Sequence, residues 1–181
     1  MVAASILPVT IHNGNLYFLF GKESPTEKSA KGWSDFGGRV EPNETIFNAA
    51  VREGSEELTG FLGNKNELRS LIIRNGGTYK LKMQNNAYHI HIFYLPYDEN
   101  LPTYYNLNHK FIWKMMDNKI LSNTTIFEKI EIDWFSMSCM KKRKPEFRNF
   151  YQSFIFDFQK NIDNIYRFIE KQHLKYINKN V

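Results

Sequence analysis

The alternation of apolar and polar positions changes period several times along the chain, and each change marks an element. Residues 5–12 and 16–21 flank Asn13-Gly14. Both turn residues accept positive φ, so this segment predicts a hairpin closed by a two-residue turn. From Phe47 the period becomes helical: Phe47, Ala50, Val51, Gly54 and Leu58 fall at i, i+3, i+4, i+7 and i+11, the spacing of a buried stripe. Thr45 is placed to cap this helix and Gly60 to end it. Residues 64–71 predict a short helical or irregular connection. Residues 78–83 and 87–95 predict strands joined through Gln84-Asn85-Asn86. In the second, Tyr88, Ile90, Ile92 and Tyr94 share one side, and His89, His91, Phe93 and Leu95 the other. Residues 104–117 predict a helix and residues 126–135 a strand. Pro145 then opens a long helix to about Gln172, striped by Phe147, Phe150, Tyr151, Phe154, Phe158, Ile162, Ile165 and Ile169. That stripe reads as core or dimer contact rather than as a platform for stacking bases. Strands on both sides of a helix, with helices closing the chain, give an α/β class with a mixed sheet between helices.

Composition narrows this picture. A chain of 181 residues with 42% hydrophobic residues suits one domain with a sizeable core, carrying a C-terminal helical extension from about residue 145. No run reaches the apolar length of a membrane span, and the N-terminus lacks a basic region followed by a long apolar core. With Cys139 as its one cysteine, the chain forms no internal disulfide and no multi-cysteine zinc site. An intracellular, cytoplasmic location with no membrane association is the expectation. The net charge of +5 favours polyanionic partners. Lys141, Lys142, Arg143 and Lys144 concentrate it ahead of Pro145, either as a solvated loop or as a phosphate clamp for nucleic acid.

The candidate chemistry lies on the polar side of the helix that begins at Phe47. Glu53, Glu56 and Glu57 are three and four residues apart, so their carboxylates are surface neighbours and repel by about 0.2–0.5 kcal/mol per pair. A purely solvated acidic face is one reading. The other is a hard divalent cation held by oxygen ligands. Gly37-Gly38, just upstream, lets backbone approach a ligand because no Cβ intervenes. His89 and His91 stand two apart on one strand face, a spacing more in keeping with packing than with metal, since no third ligand completes a zinc set.

The spacing Gly38, five residues, Glu44, seven residues, Arg52-Glu53, two residues, Glu56-Glu57 resembles the Nudix box. The early hairpin and the late Glu131-Ile132-Asp133-Trp134-Phe135 segment agree with that family. Two departures stand out: Leu58 and Thr59 both precede the closing Gly60, and Gly54 occupies a usually hydrophobic position. A glycine there costs about 1 kcal/mol of helix propensity and implies close packing against a bulky neighbour, which the 15 phenylalanines could supply. The resemblance implies an α/β/α sandwich and a Mg²⁺- or Mn²⁺-dependent hydrolase. Its substrate would be a nucleoside diphosphate linked to another moiety, with a nucleotide or the cap of an RNA among the options. Glu53 and Glu57 would be direct metal ligands, Glu56 a third or water-mediated one, and Gly38 or Gly37 a carbonyl donor. Arg52 and Glu44 would be supports. The general base would be Glu56, or Asp98 or Glu99 from outside the box. Trp33, the basic cluster and Glu99 are candidates for substrate contacts. Diphosphoinositol polyphosphates are alternative substrates, and a non-catalytic RNA- or polyphosphate-binding module is the alternative function. A third reading is a partner-binding protein that uses Phe154 and Phe158.

Overall fold

The computed structural model describes residues 1–24, 31–121 and 128–180. The predicted hairpin is present: β1 (Ala3–His12) and β2 (Asn15–Glu23) are joined at Asn13 (φ 48°) and Gly14 (φ 73°), the two positive φ values that let a short turn follow strand twist. These strands pair only from Val9↔Phe18 to His12↔Asn15. Beyond that they diverge, and two short strands fill the opening. β3 (Trp33–Ser34) pairs with the far end of β2, and β4 (Phe36–Arg39) with residues 3–6 of β1. Asp35 lies at the corner between them, buried, accepting hydrogen bonds from Ser5 Oγ at 2.5 Å and Tyr88 Oη at 2.6 Å. This crossing carries Gly37 and Gly38 to the helix that follows.

That helix, α1 (Ile46–Glu57), is capped as the sequence implies, with Thr45 Oγ1 accepting from the Asn48 N–H at 3.2 Å. It ends where Thr59 (φ 49°) and Gly60 (φ 77°) turn left-handed. The 64–71 connection is the helix α2 (Lys65–Arg74), started by a capping box between Asn64 and Glu67. β5 (Tyr79–Met83) and β6 (Tyr88–Tyr94) follow, and β6 runs parallel to β1. The helix predicted at 104–117 spans α3 (Asn100–Met115), followed by the single turn α4 (Asn118–Leu121). The strand predicted at 126–135 is β7 (Lys129–Ser136), paired with β2; residues 126 and 127 lie outside the described residues. The sheet order is β3-β2-β1-β6-β5, with β4 on β1 and β7 on β2.

Both faces of this mixed sheet are covered. One carries α1, α2 and α3 over Ala4, Ile6, Leu19, Phe36 and Ile132. The other carries the C-terminal helices over Leu7, Val9, Phe18, Phe20, Ile90 and Ile92. The two sides of β6 divide as its alternation implies, Tyr88, Ile90, Ile92 and Tyr94 to one core and Phe93 and Leu95 to the other.

The single long helix from Pro145 is corrected. After α5 (Met137–Lys142), Pro145 sits in a 3-10 turn, Lys144–Glu146, and Phe147 is extended beside Trp33. Two helices follow, α6 (Tyr151–Lys160) and α7 (Ile162–Asn180). At the break, the Asn161 side chain donates to the Asp157 carbonyl while its own carbonyl accepts from Asn164 and Ile165, closing one helix and opening the next. The aromatic stripe survives the break. Phe154 and Phe158 are buried, so they build the core and offer no surface to a partner.

Candidate functional site

Arg52 organises the polar side of α1. Its guanidinium donates to both oxygens of Glu44, Nε to Oε1 at 3.2 Å and Nη2 to Oε2 at 3.1 Å. It also donates to the Arg39 carbonyl at 3.1 Å, to Glu53 Oε1 at 2.9 Å and to Glu56 Oε2 at 3.4 Å. A planar fork with several donors suits such bridging better than an ammonium would. The Glu44 hydrogen bond is the main cause that raises the guanidinium's affinity for its proton, and Arg52 in turn holds the Glu44 carboxyl below its usual range. One side chain thereby ties the loop after β4 to two acids of the box.

The three helix carboxylates occupy different environments. Glu56 is exposed. Glu53 is half-buried against Gly38: a Cβ on Gly38 would lie 2.5 Å from the Glu53 carboxylate carbon, so the absent side chain forms the cradle in which that carboxylate rests. Burial raises the Glu53 carboxyl above its ordinary value, opposed by Arg52 and reinforced by Glu56 and Glu44. Glu57 is buried. Its Oε2 accepts the Gly37 N–H at 2.8 Å, and its Oε1 lies 3.5 Å from Lys129 Nζ. Burial raises Glu57 well above the carboxylate range, and Lys129 pulls against that rise. Gly37 has its own close approach, to Ser5 on β1, so the two glycines meet different neighbours. Gly54 also packs closely as its position implies, but the neighbour is Ile6 of β1 and not a phenylalanine.

Among the described residues, no three His, Cys, Asp or Glu side chains converge as a ready-made metal group. The donors that do line the Gly37–Gly38 strand are all oxygens, and one of them rests in a cradle a Cβ would fill. That set fits a hard divalent ion of the Mg²⁺ type, which takes one or two carboxylates and fills its remaining positions with water and substrate phosphate.

Other candidates are elsewhere. Trp33 is 1% exposed in the core beneath the C-terminal helices, so it does not stack on a base. Arg143 covers that ring and Phe135, bonds Glu146 at 2.7 and 3.0 Å, and lies 3.8 Å from Asp133. It is a structural member of the basic cluster, whereas Lys141, Lys142 and Lys144 are exposed. Asp98 Oδ1 accepts the Asn100 N–H, its carbonyl accepts from Trp134 Nε1, and the Glu99 carbonyl accepts from Thr103. Trp134 stands five residues along β7 from Lys129, about 17 Å at 3.3 Å per residue, which sets Asp98 and Glu99 at the far end of the strand from Glu57. His91 is buried with Nδ1 3.2 Å from Thr78 Oγ1 and its ring against Phe47, a packing role.

Sequence reasoning missed the surroundings of Glu57. Lys129, Glu23 and Ser34 form a buried polar cluster there, edged by the partly exposed Arg148, and Tyr105 Oη lies 2.8 Å from the Glu57 carbonyl and 3.0 Å from that of Lys129. His109 donates Nδ1–H to the Tyr105 carbonyl and lies 3.4 Å from Thr59 Oγ1. Beyond His109, a cavity of about 700 Å³ opens between α3 and the start of β7, lined by Asn106, His109, Lys110, Trp113, Lys114, Ile130 and Glu131. Its wall at Ile130 is one residue from Lys129, so it adjoins the end of α1.

A stretch of 59 residues is 49% identical to the uncharacterized protein L534 of Acanthamoeba polyphaga mimivirus, covering 32% of this chain and about a fifth (19%) of that protein. Among solved structures, a C. elegans Ap4A hydrolase binary complex is similar at 17% identity, over 90% of this chain and 98% of that one, with a TM-score of 0.48. A NUDIX hydrolase from Nitrosomonas europaea is similar at 16% identity over 87% of each chain, with a TM-score of 0.39. The profile of the NUDIX domain matches residues 1–154 of the 181, and the chain belongs to the Nudix family.

Proposed function

We propose that the protein is a Mg²⁺- or Mn²⁺-dependent hydrolase that cleaves the diphosphate linkage of a nucleoside diphosphate joined to a further group. The observation that carries this is the meeting of the α1 acids with Gly37-Gly38, with Glu53 seated in the space that Gly38 leaves. Glu53, Glu56 and Glu57, with the Gly38 carbonyl, would hold the ion. Such an ion neutralises phosphate charge and acidifies water bound to it. Arg52 keeps Glu53 and Glu56 oriented and locks the loop through Glu44 and the Arg39 carbonyl. Glu56, exposed beside these groups, is the acid with room for a water. It would take the proton as the water oxygen bonds to phosphorus and the bridging P–O bond breaks, the bridging oxygen leaving with the other phosphate.

The nucleoside is supported by the cavity between α3 and β7. Its volume suits a small organic ligand. Trp113 offers an aromatic wall, and Lys110 and Lys114 are cations in the same lining. An inositol, polar on every face, would gain less from that wall. Exposed Lys141, Lys142 and Lys144 would favour an RNA chain on the bound nucleotide.

The test is product release from dinucleotides, nucleotide-sugars, capped RNA and diphosphoinositol polyphosphates, with and without Mg²⁺, beside Glu53→Gln. Metal-dependent cleavage of a nucleoside substrate, lost in the variant, is the expected result. Preferential cleavage of inositol substrates would reassign the cavity. Tight RNA or polyphosphate binding with no turnover in either metal would favour the non-catalytic module.

A further inference from the structure

Lys129 has no part in the chemistry above, yet the fold is arranged around its side chain. In the β2–β7 ladder Lys22 opposes Glu131, but the next pair is Glu23↔Lys129, so Ile130 is an extra residue on β7. Paired residues share a sheet face. Lys22 lies over Trp33, on the side of the C-terminal helices, and Glu23, its neighbour, faces α1. The bulge therefore turns Lys129 away from the face of Glu131 and toward α1, the re-aiming that bulges beside functional sites perform. Gly21 supplies the room: a Cβ there would lie 2.9 Å from both Cγ and Cδ of Lys129. The side chain is fully buried.

The ammonium at the end of this slot has three N–H groups and three oxygen neighbours. Glu23 Oε1 is 2.5 Å away, Ser34 Oγ 2.8 Å and Glu57 Oε1 3.5 Å. Glu23 is also met by Arg148 at 2.9 Å, so a second cation shares the Glu23 carboxylate. On its other side, Glu57 accepts the Gly37 N–H. One carboxylate oxygen thus accepts from the β4 backbone while the other faces the β7 ammonium, and both keep lone pairs for other partners.

We propose that Lys129 is a positioning residue for Glu57: delivered by the Ile130 bulge through the gap at Gly21, its ammonium fixes the carboxylate against Gly37 in the orientation that serves the diphosphate site. This rests on the hydrolase reading of the α1 acids. Lys129 touches no reacting atom in it. Its effect reaches the chemistry through Glu57.

Mn²⁺ is the probe, because its binding is measurable without turnover. Lys129→Met leaves Glu23 with one cation fewer and is expected to lower Tm. Glu23→Gln/Lys129→Met removes the pair together and restores Tm toward wild type. In the double variant Mn²⁺ is expected to bind at least tenfold more weakly in a calorimetric titration, and half-maximal turnover to need at least tenfold more metal. A double variant that matches wild type in both would overturn the proposal and leave the hydrolase reading intact. If wild type itself neither binds Mn²⁺ nor turns over any diphosphate, the hydrolase reading falls and this one with it. Independent of any variant, Mn²⁺ added to wild-type protein with ¹⁵N-labelled lysine should broaden the Lys129 ammonium resonance ahead of the surface lysines, given its 3.5 Å approach to Glu57. A Lys129 signal that stays sharp while Mn²⁺ binds would sink the proposal even if every variant failed to fold.

Discussion

At Gly37 and Gly38 the absence of a side chain does two different things. A Cβ at Gly37 would strike the backbone of Ala4 and Ser5 and the Ser5 side chain, whereas at Gly38 its nearest neighbours would be the carboxylate atoms at the end of the Glu53 side chain. Backbone in a sheet cannot yield, but a carboxylate at the tip of a glutamate can swing away. Gly37→Ala is therefore expected to destabilise the protein, in the range of about 1–3 kcal/mol typical of overpacking. Gly38→Ala keeps the fold, because its backbone is ordinary strand, and displaces Glu53. Thermal melts within a few degrees of wild type together with activity reduced about 10–100-fold, the usual cost of disturbing a site's support, would match this reading. A Gly38→Ala protein with full activity would show that the Glu53 seat is unimportant.

Elements differ in how far they announce themselves. The hairpin and α1 were legible because their signals are local: two residues that accept positive φ, a threonine cap, and an apolar stripe of helical period. The acids and Arg52 were legible for the same reason, since one helix sets their spacing. Lys129 was not. By alternation it belongs with Glu131 and Asp133 on one face of β7, and only the bulge opposite Lys22 and Glu23, a property of the pairing and not of the strand, turns it toward Glu57. Asn161 likewise hides within a periodic stripe, because the stripe continues from α6 into α7 although the helix does not. β6 carries a pH dependence of its own. His91, buried between Thr78 and Phe47, is held down to about 4, chiefly by burial and then by Lys80 and His89. Its folded value lies below the unfolded 6.5, so between these pH values the unfolded chain binds the extra proton. Stability is then full above pH 6.5 and falls as pH drops toward 4, by up to about 3 kcal/mol. The carboxyls of Asp35, Glu53, Glu57 and Asp133, whose values are raised chiefly by burial, act with the opposite sign. The quantity to measure is thus the difference from His91→Gln in urea unfolding across this range: the variant should lack the fall on acidification, and parallel curves would exclude it.

For the whole molecule, the C-terminal helices look like an appendage in sequence, and the NUDIX domain match stops at residue 154. Their packing argues otherwise. The sheet has two apolar faces, and helices α1 to α3 cover only one. On the other, Leu7, Val9, Phe18, Phe20, Ile90 and Ile92 are covered by Phe154, Ile155, Phe158, Ile165 and Ile169. A sheet buried on both sides needs both helical layers. Ending the chain after residue 154 removes four of those five apolar side chains along with the remainder of α6 and all of α7. At about 25 cal/mol per Å² of apolar surface returned to water, and 1.5–3 kcal/mol for each large side chain, four losses already approach the 5–15 kcal/mol that a whole domain commands. The truncated chain is therefore expected to be unfolded or aggregated, with no cooperative urea transition, whereas Phe156→Ser, which alters an exposed residue of α6, leaves the transition in place. A cooperative fold retained by residues 1–154 would make the extension separable. Its loss would make α6 and α7 the second layer of the same domain, on which the position of β2, and through Glu23 and Lys129 the setting of Glu57, depends.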